Sequence, residues 1–128
     1  MPPRKSPTLT EAELRLMEVL WAKGPLTVHH ILQALPADTS LAYNSVLTTV
    51  RILEKKGYVK HAKDGRAYIY EPLVGRQEAR SSEVRNLVGR FFKNSHELLV
   101  LNLLEDKSID AEELKRLGEL LRQGAEKP

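Results

Sequence analysis

The chain has 128 residues, of which 41% are hydrophobic and 29% charged, with no cysteine and a formal net charge of +3. This balance is that of a globular protein and excludes a largely disordered chain. The lack of cysteine excludes disulfides and thiolate metal ligands, and no apolar run reaches the ~18 residues that a membrane span requires. We therefore expect a cytoplasmic protein that does not bind membranes.

The positive charge is concentrated in the first part of the chain. Residues 1–75 contain ten Lys and Arg against seven Asp and Glu, whereas residues 76–128 contain ten of each sign. A one-sided excess of this kind is expected of a protein that meets a polyanion. Because the excess is only three charges, charge alone does not decide the question.

The first elements are marked by helix caps. Residues 1–8 hold three prolines and two cations and are predicted to form a mobile basic arm. Thr10 and Glu13 have the spacing of a capping box, which predicts a first helix that ends at the Gly-Pro pair 24–25. Thr27 is predicted to cap a short second helix that ends before Pro36.

The third helix is predicted to run from about Leu41 to Lys56. Ser40 is expected to cap its beginning, and Gly57 stands where a left-handed residue ends a helix. At about 100° per residue, one side of this helix is apolar and is expected to be buried, namely Val46, Val50 and Leu53.

The opposite side of the third helix is polar, and its groups suit the edges of bases in the major groove of DNA. The residues predicted to read bases are Asn44, Ser45, Thr48 and Arg51. Tyr43 and Lys55 are predicted to contact phosphate. Most polar helix faces meet only water, but the third helix, placed directly before a hairpin, is the one that enters the groove in helix-turn-helix domains.

The residue pattern then changes to that of β-strands. Residues 58–63 and 66–71 are predicted to form a hairpin with a tight turn at Asp64-Gly65. Three cations near this tip are expected to contact phosphate, although such residues also serve solubility: Lys60, Lys63 and Arg66. Three helices followed by a hairpin predict a winged helix-turn-helix DNA-binding domain at residues 9–74.

Residues 75–128 are predicted to form a helical dimerisation domain. About 50 residues are too few to bury three apolar helix faces by themselves, and a second copy would cover the same patch on both chains. The residues predicted at this interface are Leu87, Phe91, Phe92, Leu98, Leu101, Leu117 and Leu121. The alternative is a monomer whose helices fold back on the first domain. The fold class is thus α+β and mainly α.

An enzyme is not expected, because no catalytic constellation is present. His29 and His30 are adjacent and would point about 100° apart on a helix, and no glycine-rich phosphate loop occurs. We expect no catalytic residues, no metal and no cofactor. Two alternatives stay open: a winged helix that binds protein, which would want an apolar outer face on the third helix, and a small-molecule-responsive regulator.

Several stretches match the pattern of one known family. They are Leu9-Thr10-x-x-Glu13, Met17-x-x-Leu20-Trp21, Thr27, Tyr43-Asn44-Ser45-Val46-x-Thr48, Leu53-x-x-Lys56-Gly57 and Gly65-Arg66-Ala67-Tyr68-x-Tyr70-x-Pro72. Together, and in this order, they resemble the penicillinase-repressor family of the BlaI/MecI type. The resemblance covers nearly the whole chain and is strongest over residues 9–74.

The resemblance implies a homodimeric repressor that occupies a palindromic operator on double-stranded DNA, of β-lactamase-type resistance genes or related ones. It also implies a sensor-linked protease as a partner, which releases the operator by cutting the dimerisation domain. The comparable bond here is Asn102-Leu103. One departure is Lys93-Asn94-Ser95, where the family often has Gly-Gly-Ser. Asn94 is expected to supply the left-handed turn.

Overall fold

A computed structural model describes residues 8–36, 39 and 41–126, with Glu126 described by its backbone alone. The predicted arm, apart from Thr8, and the predicted cap Ser40 lie outside the described residues. The helices are α1 (Glu11–Lys23), α2 (Val28–Ala34), α3 (Tyr43–Lys56), α4 (Arg76–Phe91), α5 (His96–Leu104) and α6 (Ala111–Glu126). The strands are β1 (Leu26–Thr27), β2 (Val59–Asp64) and β3 (Ala67–Pro72).

The capping box at the start of α1 is confirmed. The Thr10 hydroxyl accepts the Glu13 backbone N–H, and the Glu13 carboxylate accepts the Thr10 backbone N–H. The same carboxylate, which is buried, receives a 2.7 Å hydrogen bond from Lys56 Nζ, and Nζ also donates to the Thr8 carbonyl at 3.2 Å. The last turn of α3 is therefore anchored to the beginning of α1.

The boundaries of α2 and α3 were predicted closely. Thr27 caps α2 by accepting the His30 backbone N–H. Helix α3 begins at Tyr43, two residues later than expected, because Ala42 is still extended and provides no side-chain cap. It ends at Gly57, which has φ +88° and is left-handed as predicted.

The sheet differs from the prediction in two ways. Its strand order is β1-β3-β2, and β1 was not predicted because two residues are too few to show a strand pattern. The predicted turn at Asp64-Gly65 was wrong by one residue. Asp64 pairs with Ala67, so the turn is Gly65-Arg66. Gly65 has φ +65° while Arg66 is not among the residues with positive φ, a pattern typical of a type II′ turn.

Contacts divide the chain into two compact units, Met1–Asn86 and Leu87–Pro128. The first unit has a hydrophobic core to which α1, α2, α3, the sheet and the start of α4 contribute, and its fully buried side chains include Leu16, Met17, Leu20, Ile31, Val46, Val50, Leu53, Tyr58 and Val59. The predicted buried side of α3 is thus confirmed. Ala79 of α4 also belongs to this core, so the first compact unit extends beyond residue 74. The functional division into residues 9–74 and 75–128 stays a prediction.

The second unit contains the end of α4, then α5 and α6. Lys93 and Asn94 both have positive φ between α4 and α5, so Asn94 takes the left-handed conformation expected of it. Ser95 caps α5, and Asp110 accepts the Glu113 backbone N–H at the start of α6. No residue of α5 is buried. Within the described residues, every helix lacks the length or the apolar character needed to cross a bilayer.

Candidate nucleic-acid interface

The polar side of α3 faces solvent along its length. Because Val46, Val50 and Leu53 have no exposed surface, the helix cannot rotate without exposing them. The outward residues are all exposed, and they are Asn44, Ser45, Thr48, Arg51 and Lys55. The structure thus brings together an amide, two hydroxyls, a guanidinium and an ammonium on one helix face, a set that matches base edges and phosphates.

The hairpin β2–β3, hereafter the wing, separates the predicted cations. Side chains alternate along a strand, so Lys60 and Lys63, three residues apart, project from opposite faces. Lys63 pairs with Tyr68 in the register, whereas Lys60 lies opposite Glu71 and forms an ion pair with it, Nζ to Oε1 3.3 Å. A phosphate would have to compete with Glu71 for Lys60 but not for Lys63.

A cleft of about 290 Å³ joins the first turn of α3 to the tip of the wing. Tyr43 and Arg66, both predicted to contact phosphate, line it together although they are far apart in the chain. The remaining lining residues are Thr27, Val28, His29, Leu47, Ala67, Tyr68 and Tyr70. The cleft therefore places a guanidinium beside phenol and imidazole groups at one edge of α3.

A contact that the sequence did not predict links the wing to α3. His61 Nδ1 lies 2.7 Å from Glu54 Oε2 and 2.9 Å from Glu54 Oε1. The imidazole also packs edge-on against the Tyr68 ring at 4.9 Å between centroids and lies 5.7 Å from the Tyr70 ring. His61 lies on the same face of the wing as Lys63, because the two are at positions i and i+2 of the strand.

Tyr70 lies under this contact. Its side chain is buried, and burial raises the pKa of the phenol above its usual value of 10.0, with the Glu54 carboxylate adding to the rise and Arg51 opposing it. Tyr70 thus joins the core to the Glu54–His61 contact, since its buried ring lies 5.7 Å from the imidazole.

The exposed Ile52 and the Glu54–His61 contact were not predicted from the sequence. Ile52 is 40% exposed on α3, at the flank of the polar side, where an apolar side chain can meet a thymine methyl group. The Glu54–His61 contact could not be found from helix periodicity, since it joins a helix to a strand. In the described part of the chain, no three His, Asp or Glu side chains come together closely enough to hold a metal ion.

Comparisons with known proteins agree with this arrangement. Residues 9–123 match the family described as "Penicillinase repressor". The penicillinase repressor of Bacillus licheniformis is 26% identical over 120 residues, which cover 94% of each chain. The methicillin resistance regulatory protein MecI of Staphylococcus aureus (strain N315) is 23% identical over 119 residues, covering 93% of this chain and 97% of MecI.

A solved structure supports the same fold. The solution structure of the DNA-binding domain of the repressor BlaI is 27% identical in sequence, with a TM-score of 0.52. It covers 59% of this chain and 92% of that domain. The family match extends over most of the chain, and the structural match shows the winged-helix fold. The chain therefore belongs to the penicillinase repressor family, and it is a DNA-binding transcriptional repressor rather than an enzyme.

Proposed function

We propose that this repressor binds a palindromic operator as a homodimer, with α3 of each copy in the major groove. The observation that carries the proposal is the exposed polar side of α3, held outward by three fully buried residues on its other side. A winged helix that binds protein is expected to have an apolar outer side on α3. Here that side is polar, and the two large apolar side chains exposed on α3, Tyr43 and Ile52, lie at its flanks.

The roles of the residues follow from their chemistry. Asn44 and Arg51 carry base readout, because an amide suits adenine and a guanidinium suits guanine, while Ser45 and Thr48 support them. Lys55, Lys63 and Arg66 contact phosphates, as does Tyr43 from the cleft that it shares with Arg66. Lys60 contributes less than Lys63, because its ammonium is already paired with Glu71.

Dimerisation is proposed to occur through the second unit. Large apolar side chains are exposed there in a single copy, among them Leu87, Phe91, Leu98, Leu101 and Leu121, while Phe92 and Leu117 are half-buried. An apolar cleft of about 410 Å³ lies between α5 and α6, with Leu117 and Leu121 in its lining. Exposed apolar surface of this extent is what a second copy would cover. Two linked half-site contacts would then bind far more tightly than one.

Regulation by proteolysis is proposed for the same unit. Asn102 and Leu103 lie in α5, and both are exposed. A protease needs an extended segment, and within a single copy no residue of the nine-residue helix α5 is buried, so its opening loses only the packing against the second copy. Cleavage between them by a sensor-linked protease would divide the interface and release the operator. The genes under control are proposed to be of the β-lactamase resistance type, as the names of the relatives indicate. The operator places the protein in the cytoplasm.

The test of operator binding is selection of duplexes from a random DNA pool at near-physiological salt. Enrichment of a palindrome with half-sites about one helical turn apart is the expected result. If no motif is enriched and binding disappears as salt rises, only backbone attraction remains. The protein-binding function would then take the place of operator binding.

Cleavage is tested by incubating the full-length repressor with membranes that contain its sensor protease in the induced state. Mass spectrometry is expected to find fragments that end at Asn102 and begin at Leu103. Leu103→Pro serves as the control, since proline after the scissile bond blocks most proteases. Because proline also disturbs a helix, this variant must first bind the operator as tightly as the wild type without protease. An intact wild-type chain would exclude this mode of release.

A further inference from the structure

We propose that His61 is a positioning residue for DNA binding: through its contact with Glu54, it fixes the outer half of the wing beside α3, so that Lys63 and Arg66 reach the phosphate backbone. The inference rests on the proposed function, because it assumes that these cations contact phosphate. It assigns a role to a residue that neither helix periodicity nor charge had marked.

The outer half of the wing, residues 61–69, has few buried contacts that could hold it in place besides the His61–Glu54 contact. Val59 and Tyr70 are buried and attach the base of the hairpin to the core. From Lys60 to Asp64, every residue of β2 is exposed. On the β3 side, β1 pairs with Ile69 and Tyr70, so only the tip beyond Ile69, which carries Lys63 and Arg66, is two-stranded and exposed. A two-stranded ribbon without a buried face bends and twists easily. A cation at its tip would therefore sample many positions unless a side-chain contact restrains the ribbon.

The His61–Glu54 contact lies at the point where such a restraint is effective. His61 is the second residue of β2 beyond the buried Val59, and Lys63 is two residues further along the same face. The distances from Nδ1 to the two carboxylate oxygens are 2.7 and 2.9 Å. Because a carboxylate only accepts hydrogen bonds, Nδ1 is the donor, and the imidazole is fixed in this orientation. Edge-on packing on Tyr68, the cross-strand partner of Lys63, extends the restraint to β3.

Restraining the wing before binding also lowers the cost of ordering it on DNA. Immobilising a segment opposes association, and a segment that is already fixed avoids that loss. Glu54 is part of α3, so the wing is restrained relative to the helix that reads the bases. A contact between two exposed groups shifts such an equilibrium by about five-fold at most.

The experiment is a double-mutant cycle on the full-length repressor, with the duplex selected from the random pool and with affinity measured against salt concentration. In the wild-type background, Lys63→Ala is expected to reduce the salt slope by about one. In the His61→Ala background, the same substitution is expected to change the slope by less than half as much. His61→Ala alone is expected to weaken binding about two- to five-fold.

Two variants separate positioning from loss of structure. His61→Asn keeps a donor nitrogen at the same distance from Cβ as Nδ1, and it is expected to restore most of the affinity and the effect of Lys63→Ala. Lys60→Ala, on the opposite face of the wing, is expected to be additive with His61→Ala. Thermal unfolding should be nearly unchanged in the His61 variants, because the side chain is 42% exposed.

The outcomes separate the inference from the proposed function. Full additivity of His61→Ala and Lys63→Ala, with Lys63→Ala effective by itself, would overturn the positioning role and leave the phosphate contact intact. If Lys63→Ala changes neither the affinity nor the salt slope in the wild-type background, Lys63 does not contact phosphate. The positioning role of His61 would then be refuted as well. Binding by His61→Asn that is as weak as binding by His61→Ala would also count against the hydrogen bond.

Discussion

The two units of this repressor differ in how far their apolar side chains are buried. In the first unit, leucine, isoleucine and valine side chains from three helices and the sheet are fully buried in one core. In the second unit, α5 has no buried residue, and leucines of α5 and α6 are exposed by about half. The first unit thus has the buried core of an independent domain, whereas the second leaves exposed the apolar surface that the proposed dimer would cover.

This difference suits the functions proposed for the two units. A helix that is to read bases has to be held rigidly, and the fully buried side of α3 holds it within a single chain. The proposed interface between two copies needs apolar surface that is covered only in the dimer.

The largest effect is expected from a charge in the second unit. Leu121→Asp should prevent dimerisation, because a carboxylate would be buried between two copies. Affinity for the full palindrome should fall about 100-fold or more, while affinity for a single half-site stays the same. Sedimentation and titration with both duplexes measure this. Leu73→Asp is the control, since Leu73 is equally exposed but belongs to the first unit. A variant that remains a dimer would contradict the proposed interface.

A cavity in the first unit should affect stability instead. Leu20→Ala removes a fully buried side chain and should lower the free energy of unfolding by about 2–5 kcal/mol. Leu98→Ala, at a half-exposed site of α5, should leave the unfolding of the first unit unchanged. Denaturant titration followed by fluorescence of Trp21, the single tryptophan, reports on the first unit. If both variants lower the free energy of unfolding equally, the two units unfold together as one cooperative structure.

Base readout is expected to depend on one guanidinium. Arg51→Ala should weaken operator binding by about 1–3 kcal/mol and relax specificity at one operator position. Repeating the random-pool selection with the variant measures both. Arg15→Ala, an exposed arginine of α1, should have neither effect. If binding weakens equally on every sequence, Arg51 contacts the backbone and not a base.

The smallest effect distinguishes two lysines of the wing. Lys63→Ala should weaken binding nearly uniformly and reduce the salt slope by about one. Lys60→Ala should reduce it less, because Lys60 is on the other face and is paired with Glu71. Affinity measured at several salt concentrations compares them directly. If the salt slopes of the two variants are equal, both lysines contribute equally to phosphate binding, whichever face of the wing they are on.

Much of the fold was predictable because its signals are local. The capping box of Thr10 and Glu13, the cap at Thr27 and the left-handed Gly57 each depend on residues within one helical turn. The two sides of α3 follow from helix periodicity. The alternation of strand side chains also separates Lys60 from Lys63, which were predicted together as phosphate contacts on the basis of charge.

The order of the six helices and of the hairpin, the outward side of α3, the winged-helix class and the family could all be inferred from the sequence alone. These depend on spacing along the chain, which a pattern of residues records directly. Four features became visible in the folded chain alone: the pairing of β1 with β3, the turn at Gly65-Arg66, the buried contact between Glu13 and Lys56, and the contact of His61 with Glu54. Each of these joins residues from different elements or depends on the register between strands. Such pairings are set by the packing of the whole unit, because no local preference distinguishes one partner from another.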